Sequence, residues 1–243
     1  MRTVFIIAKR EFRLFFVSPA AYAVAVMIFL ILGGIFFINI YFGLRDGQIA
    51  PDGRMVISPL VTILLFATPA ITMRLLADEQ RMGTIELLLT SPVRDWELIV
   101  GKWLGATGFM TLILAVTWIY PIIIHRMTTP GIDQGVLIAA YLGLVLMVSA
   151  MLAMGTLISS LFNNPIPAFF ITLTLMLFLW IIGGLGSGSG ITSEIAGNLS
   201  FVSHYYDNFY RGVIDLGDLA YYLSLTIISL FLGTQVIESR RWR

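Results

Sequence analysis

Residues 136–185 read VLIAAYLGLVLMVSAMLAMGTLISSLFNNPIPAFFITLTLMLFLWIIGGL, without one charged side chain. A helix rises about 1.5 Å per residue and the bilayer's hydrocarbon layer is ~30 Å thick, so about 20 apolar residues make one crossing. The run therefore holds two crossings. Asn163-Asn164-Pro165 divides it, because Asn favours turns and the residue before a proline is pushed out of helical geometry. The division gives spans at 136–162 and 165–185; a single kinked helix is the other reading. The same criterion applied outward gives spans at 20–42, 56–76, 103–124 and 219–237. The expectation is an all-α integral membrane protein with six transmembrane helices, forming one membrane domain over residues 1–243.

Composition agrees with that class. The 243 residues are 58% hydrophobic and 12% charged, with a mean hydropathy of +0.91. A soluble domain carries about 25% charged residues, twice the supply available here for a wetted surface. There is no cysteine, which removes disulfides, thiolate nucleophiles and cysteine-bound metals. His125 and His204 cannot by themselves build a histidine-rich metal site. The net charge of +1 gives no sign of a nucleic-acid partner.

Placement of the basic residues predicts orientation. Eleven of the 15 Lys and Arg residues fall on one side: Arg2, Lys9, Arg10 and Arg13; Arg74, Arg81, Arg94 and Lys102; Arg240, Arg241 and Arg243. Arg45, Arg54, Arg126 and Arg211 fall on the other. Cytoplasmic loops are enriched in Lys and Arg, so both termini and the loop at 77–97 are expected in the cytoplasm, with the loop at 186–218 outside. The first apolar stretch is long enough to span, and what precedes it is too long and amphipathic for the charged start of a cleaved signal peptide.

Ahead of the first span, Phe5, Ala8, Phe12, Phe15 and Phe16 recur at helical spacing, with Arg2, Lys9 and Arg13 opposite and Arg10 at the edge. Aromatic residues on one face and cations on the other suit a helix lying in the membrane interface. Ser18-Pro19 ends it and turns the chain into the bilayer. Residues 1–18 are thus expected to form an interfacial elbow carrying Lys9, Arg10 and Arg13.

The loop at 77–97 contains DEQRMGTIELLLTSPVRDW from Asp78 to Trp96. Gly83 permits a sharp turn, Thr84 is a candidate N-cap, Glu86 suits the first helical turn, and Pro92 stops the helix. About two turns of helix follow, too few for stability in isolation. Ile85, Leu88 and Leu89 share one face, so the helix must pack on something, either its own bundle or a docked subunit.

The pattern E-x-x-x-G-T-x-E-x-L-x-x-x-P from Glu79 to Pro92 resembles the signature loop of ABC-2 type transporter permeases. Lys9-Arg10-Glu11-Phe12 with Ser18-Pro19, and Leu199-Ser200 through Tyr206 with Arg211-Gly212 and Tyr221-Tyr222, are similar as well, so the resemblance runs from end to end. Small bacterial permeases of the gliding-motility and copper-enzyme-maturation type look closest. The resemblance implies that this loop carries a short cytoplasmic coupling helix that fits a groove on a separate ABC ATP-binding subunit. Glu79, Gly83, Thr84, Glu86 and Pro92 match the pattern, and Arg81, Leu87 and Leu88 lie where contacts would form. It implies further two copies of that subunit, which would hold ATP and Mg, a second permease copy or a related permease, and a bacterial cytoplasmic membrane. This chain would bind no cofactor.

Chemistry within the chain itself is not indicated. A phosphate-cradling loop needs G-x-x-x-x-G-K-[ST] after a strand; Gly183 and Gly188 have the glycine spacing, but Ser189 stands where the lysine should be. His204 and Asp207, three residues apart, could touch on a helix, but a metal or acid–base site would need a third partner. Ion-coupled carriers place charges at membrane depth, and none falls near a span centre. Gly33-Gly34, Gly101-x-x-x-Gly105 and Gly143 suggest close helix contacts. The reading that results is the permease subunit of an ATP-driven exporter. An ion-driven carrier and a membrane anchor for a motility or assembly complex are the alternatives.

Overall fold

A computed structural model describes residues 2–45, 54–84, 93–129, 131–185 and 197–241. The elements are α1 (Arg2–Phe15), α2 (Pro19–Arg45), α3 (Arg54–Thr72), α4 (Ala77–Arg81), α5 (Asp95–Thr117), α6 (Ile119–Met127), α7 (Gln134–Leu161), α8 (Pro165–Leu185), α9 (Phe201–Asp207), a 3₁₀ turn at Phe209–Arg211 and α10 (Leu216–Arg241). There is no strand among the described residues. Six stretches are long and apolar enough to cross a membrane: Pro19–Gly43, Arg54–Arg81, Asp95–Met127, Gln134–Leu161, Pro165–Gly184 and Leu216–Arg240. The chain is an all-α, multi-pass membrane protein.

The split at Asn163-Asn164-Pro165 is present: α7 ends at Leu161 and α8 begins at Pro165. Asn164 caps the new helix by accepting the Ile166 N–H at 3.1 Å. The expected third span was too short at both ends. It begins at Asp95, where the Glu97 carboxylate reaches back to the Arg94 N–H at 3.3 Å, and it bends at Trp118 before continuing as α6. Pro121 explains the bend: it has no N–H for the Thr117 carbonyl, and its ring crowds that carbonyl. The second span also departs from expectation, since α3 stops at Thr72 and a loose turn leads into α4.

α7 is the centre of the bundle, packed against α3, α5, α8 and α10. Its residues Ala140, Leu144, Met147, Met151 and Leu152 are buried. Small residues set how closely its neighbours approach: a methyl group at Gly155 would collide with Thr72, and one at Gly143 with the Phe209 ring. Polar groups left at depth turn to the backbone. The Thr68 hydroxyl donates to the Leu64 carbonyl at 2.8 Å and Thr72 to Thr68 at 3.0 Å, as polar side chains in an apolar medium must.

At the end away from the basic cluster, α9 and the 3₁₀ turn fold inward over the bundle. They form a cap in which Phe201, Val202, Tyr205 and Phe209 are buried. The Tyr205 hydroxyl donates to the Ala140 carbonyl at 3.3 Å, and burial pushes its pKa above that of free tyrosine. His204 does not meet Asp207, which is exposed. Its Nδ1 lies 2.6 Å from Asp218 at the start of α10, and its Nε2 is 3.1 Å from the Asn198 carbonyl. Asp218 accepts a second bond from Asn208 at 2.8 Å. The i, i+3 pairing does not form because Asp218, itself only 4% exposed, needs partners more than an exposed Asp207 does.

Candidate functional site

The loop joining the second and third spans is the stretch singled out by sequence, and its root is well defined. α4 has five residues, too few to stand alone, so its stability must come from what it touches. Three attachments supply it.

The first is to α7. The first backbone N–H groups of a helix lack intrahelical partners, and no nearby side chain caps α4. Ser159, on α7, does so from across the bundle: its hydroxyl accepts the N–H groups of Leu76 and Ala77, both at 3.1 Å, and donates to the Met73 carbonyl at 3.3 Å. One turn on, the Gln80 side chain donates to the Ser160 carbonyl at 3.0 Å.

The second and third attachments meet at Lys102. The expected span, beginning at 103, leaves this side chain in the loop's flank. Because α5 begins at Asp95, Lys102 sits two turns inside a helix and is only 2% exposed. Its Nζ lies 2.8 Å from Glu79 on α4 and 3.1 Å from Glu11 on α1. A buried ammonium persists only when paired. Here one cation serves two carboxylates, and Glu79 Oε2 finds no hydrogen-bond partner among the described residues. The cluster therefore keeps one surplus negative charge.

α1 reaches this cluster because α5 offers it a groove of small residues. A Cβ at Gly101 would come within 2.7 Å of the Ile7 side chain, and one at Gly105 within 2.6 Å of Glu11 Cβ. Phe15 stacks on Phe109 with centroids 4.8 Å apart. The docked face of α1 is thus Val4, Ile7, Ala8, Glu11, Phe12 and Phe15. The expected apolar face was rotated from this: Phe5 is 71% exposed. Phe5, Ile6 and Val17 are exposed apolar residues away from that face, with Lys9 and Arg13 exposed beside them, while Arg10 and Leu14 line a cavity shared with α2, α3 and α4.

Past α4 the chain turns at Gly83, whose φ of 68° is the left-handed conformation that glycine adopts without cost. The Thr84 hydroxyl points back and donates to the Glu79 carbonyl at 3.3 Å. Arg81 and Met82 are exposed. Glu86, Leu87, Leu88 and Pro92, together with Ile85, Leu89 and the short helix expected there, lie outside the described residues. Glu79 is therefore brought together with Lys102 and Glu11, Thr84 reaches the Glu79 carbonyl, and Ser159 holds the start of α4; sequence reading did not single out Lys102, Glu11 or Ser159 for this site. A signal existed for Lys102: it is a lone charge beside Gly101, with uncharged residues from Leu98 through to Ile124 otherwise.

At this same end the C-terminal helix closes the bundle. Arg240 donates to the Asn163 side chain at 2.9 Å and to the Leu161 carbonyl at 3.1 Å, satisfying the end of α7. The N-terminal helix, the loop root, the α7–α8 turn and the last turn of α10 thus share one end of the molecule.

Among the described residues no group of three or more His, Asp or Glu side chains could hold a metal ion. The arrangement ties the root of the loop to three helices of the bundle, α7, α5 and α1. No curated protein matches the chain. Residues 5–200 match the family described as ABC-2 family transporter protein, and the chain belongs to that family as a transporter membrane subunit.

Proposed function

We propose that this chain is the permease of an ATP-driven exporter, and that a separate ATP-binding subunit drives it through the loop between the second and third spans. Membership of the ABC-2 family implies an ATP-binding partner in general. The observation that carries the coupling assignment is the way α4 is held: Ser159 fixes it to α7, and Lys102 fixes it to α5 and, through Glu11, to α1. A force applied beyond Gly83 is delivered at once to the interfacial helix and to two spans. Glu79 anchors the lever, while Arg81, Gly83, Thr84, Glu86, Leu87, Leu88 and Pro92 form the part the motor grips. Lys9, Arg10 and Arg13 face lipid headgroups.

In this reading the basic end is cytoplasmic, as the distribution of Lys and Arg favours, and the membrane is a bacterial inner membrane. Six spans make half a transporter, so two permeases would face each other above two ATPase subunits. The buried cluster favours coupling over an ion relay, because Lys102, Glu11 and Glu79 lie where a helix end meets a loop, whereas an ion pathway needs charges across the membrane's depth. The test is co-purification with a cognate ATPase and measurement of coupled ATP turnover after reconstitution. Glu86→Arg should abolish partner binding. Retention of both binding and coupled turnover by that variant would overturn the assignment.

A further inference from the structure

Beneath α1, at the basic end, lies an open cavity of ≈ 550 Å³, within the range of ligand pockets. α1, α2, α3 and α4 each contribute to it. One wall is apolar, from Leu14, Phe15, Ala21, Val24, Ile71 and Leu75. The other carries charge of both signs. Arg10 is exposed and makes no ion pair among the described residues, and Arg74 touches Asp78 only through Nε at 3.8 Å with half its surface free. Glu11 and Glu79, which share the single cation of Lys102, line the same cavity.

The lining thus has no net charge, but positive charge is in surplus at Arg10 and negative at the Glu11–Glu79 pair. Aliphatic walls with unbalanced charges of both signs describe neither a metal site nor a pocket for a simple anion. They complement an amphiphile whose headgroup is itself a dipole. The level of the cavity agrees, since the outward surface of α1, with Phe5, Ile6 and Val17 exposed beside Lys9 and Arg13, belongs at the membrane interface.

We propose that this cavity binds a phosphoethanolamine phospholipid, with the phosphate at Arg10 and Arg74, the ammonium toward the Glu11–Glu79 pair and the start of an acyl chain along Val24 and Leu14. Guanidinium suits phosphate oxygens. A primary ammonium can donate to a carboxylate, whereas the methylated ammonium of phosphocholine has no N–H to give. The bound lipid would be a fixed part of the joint between the interfacial helix and the loop root.

The test uses the full chain in detergent, without an ATPase, so that its outcome is independent of coupling. Palmitoyl-oleoyl phosphatidylethanolamine is titrated and followed by native mass spectrometry and thermal unfolding. The parent protein should retain one lipid and unfold at higher temperature with it. The double variant Arg10→Gln/Arg74→Gln should bind it about tenfold or more weakly, the worth of one lost charge-assisted hydrogen bond. Val24→Trp, which fills the cavity without altering charge, should also lose it, and Arg126→Gln at the far end should not. Equal binding by both cavity variants would overturn the proposal. So would phosphatidylglycerol binding as tightly as phosphatidylethanolamine, or inorganic phosphate reproducing the thermal shift. Weaker retention of phosphatidylcholine would support the ammonium assignment, and equal retention would overturn it.

Discussion

Lys102 is the residue on which the site turns. Removing one partner of a buried ion pair typically costs about 3–5 kcal/mol, because the remaining charge is left uncompensated. Lys102→Met leaves two carboxylates facing each other, so its unfolding in detergent should occur well below that of the parent, by an amount in that range. The triple variant Lys102→Met/Glu11→Leu/Glu79→Leu should recover most of the loss, since replacing a whole buried cluster by apolar groups is often neutral. If the triple variant were no better than the single one, the loss would come from packing and not from stranded charge. The cap at the other end offers a second test. Asp218→Ala deprives both His204 and Asn208 of their acceptor, and should destabilise the fold by about 1.5–3 kcal/mol, seen as an earlier melting transition.

Among the elements, α1 shows what could and could not be read from sequence. That it is a helix ending at Ser18-Pro19 was plain from its spacing. Its rotation was not, because apolar residues occur nearly all round it: Val4, Ile7, Phe12 and Phe15 on one face, and Phe5, Ile6 and Leu14 outside it. Periodicity cannot choose between two apolar faces. The choice is made by Gly101 and Gly105 on α5, more than eighty residues away in the chain. Gly105→Leu should therefore lift α1 off the bundle. Overpacking at a tight contact costs about 1–3 kcal/mol, and a cysteine placed at Ala8 should become open to a soluble maleimide in the variant while staying protected in the parent. Lys102 was misread for a related reason. It was counted as a loop cation because helix boundaries cannot be fixed from hydropathy when a helix starts with charged residues such as Asp95 and Glu97. Gly83, by contrast, was legible, since its role follows from its own backbone.

At the scale of the molecule, the six crossings were legible because length and apolar character are properties of single segments. Which crossing lies inside was not. α7 and α8 are similarly apolar, yet α7 is largely buried and α8 largely exposed; the difference lies in the small residues Gly143, Ala150, Ala153 and Gly155 that let neighbours close around α7. Orientation is open to direct measurement, helped by the absence of cysteine. Single cysteines at Met82 and at Arg126 should react from opposite sides of the membrane, with Met82 accessible only from the cytoplasm. Labelling of Met82 from outside would remove the basis for an ATPase at that end.

The bond from Ser159 to the start of α4 spans 83 residues of sequence. During synthesis the loop root leaves the ribosome long before the hydroxyl that completes it. A nascent chain that has delivered three crossings already holds Glu79, Lys102 and Glu11, but its Leu76 and Ala77 N–H groups still lack their acceptor. Completion of the loop root thus waits for the fourth crossing, the element that carries Ser159.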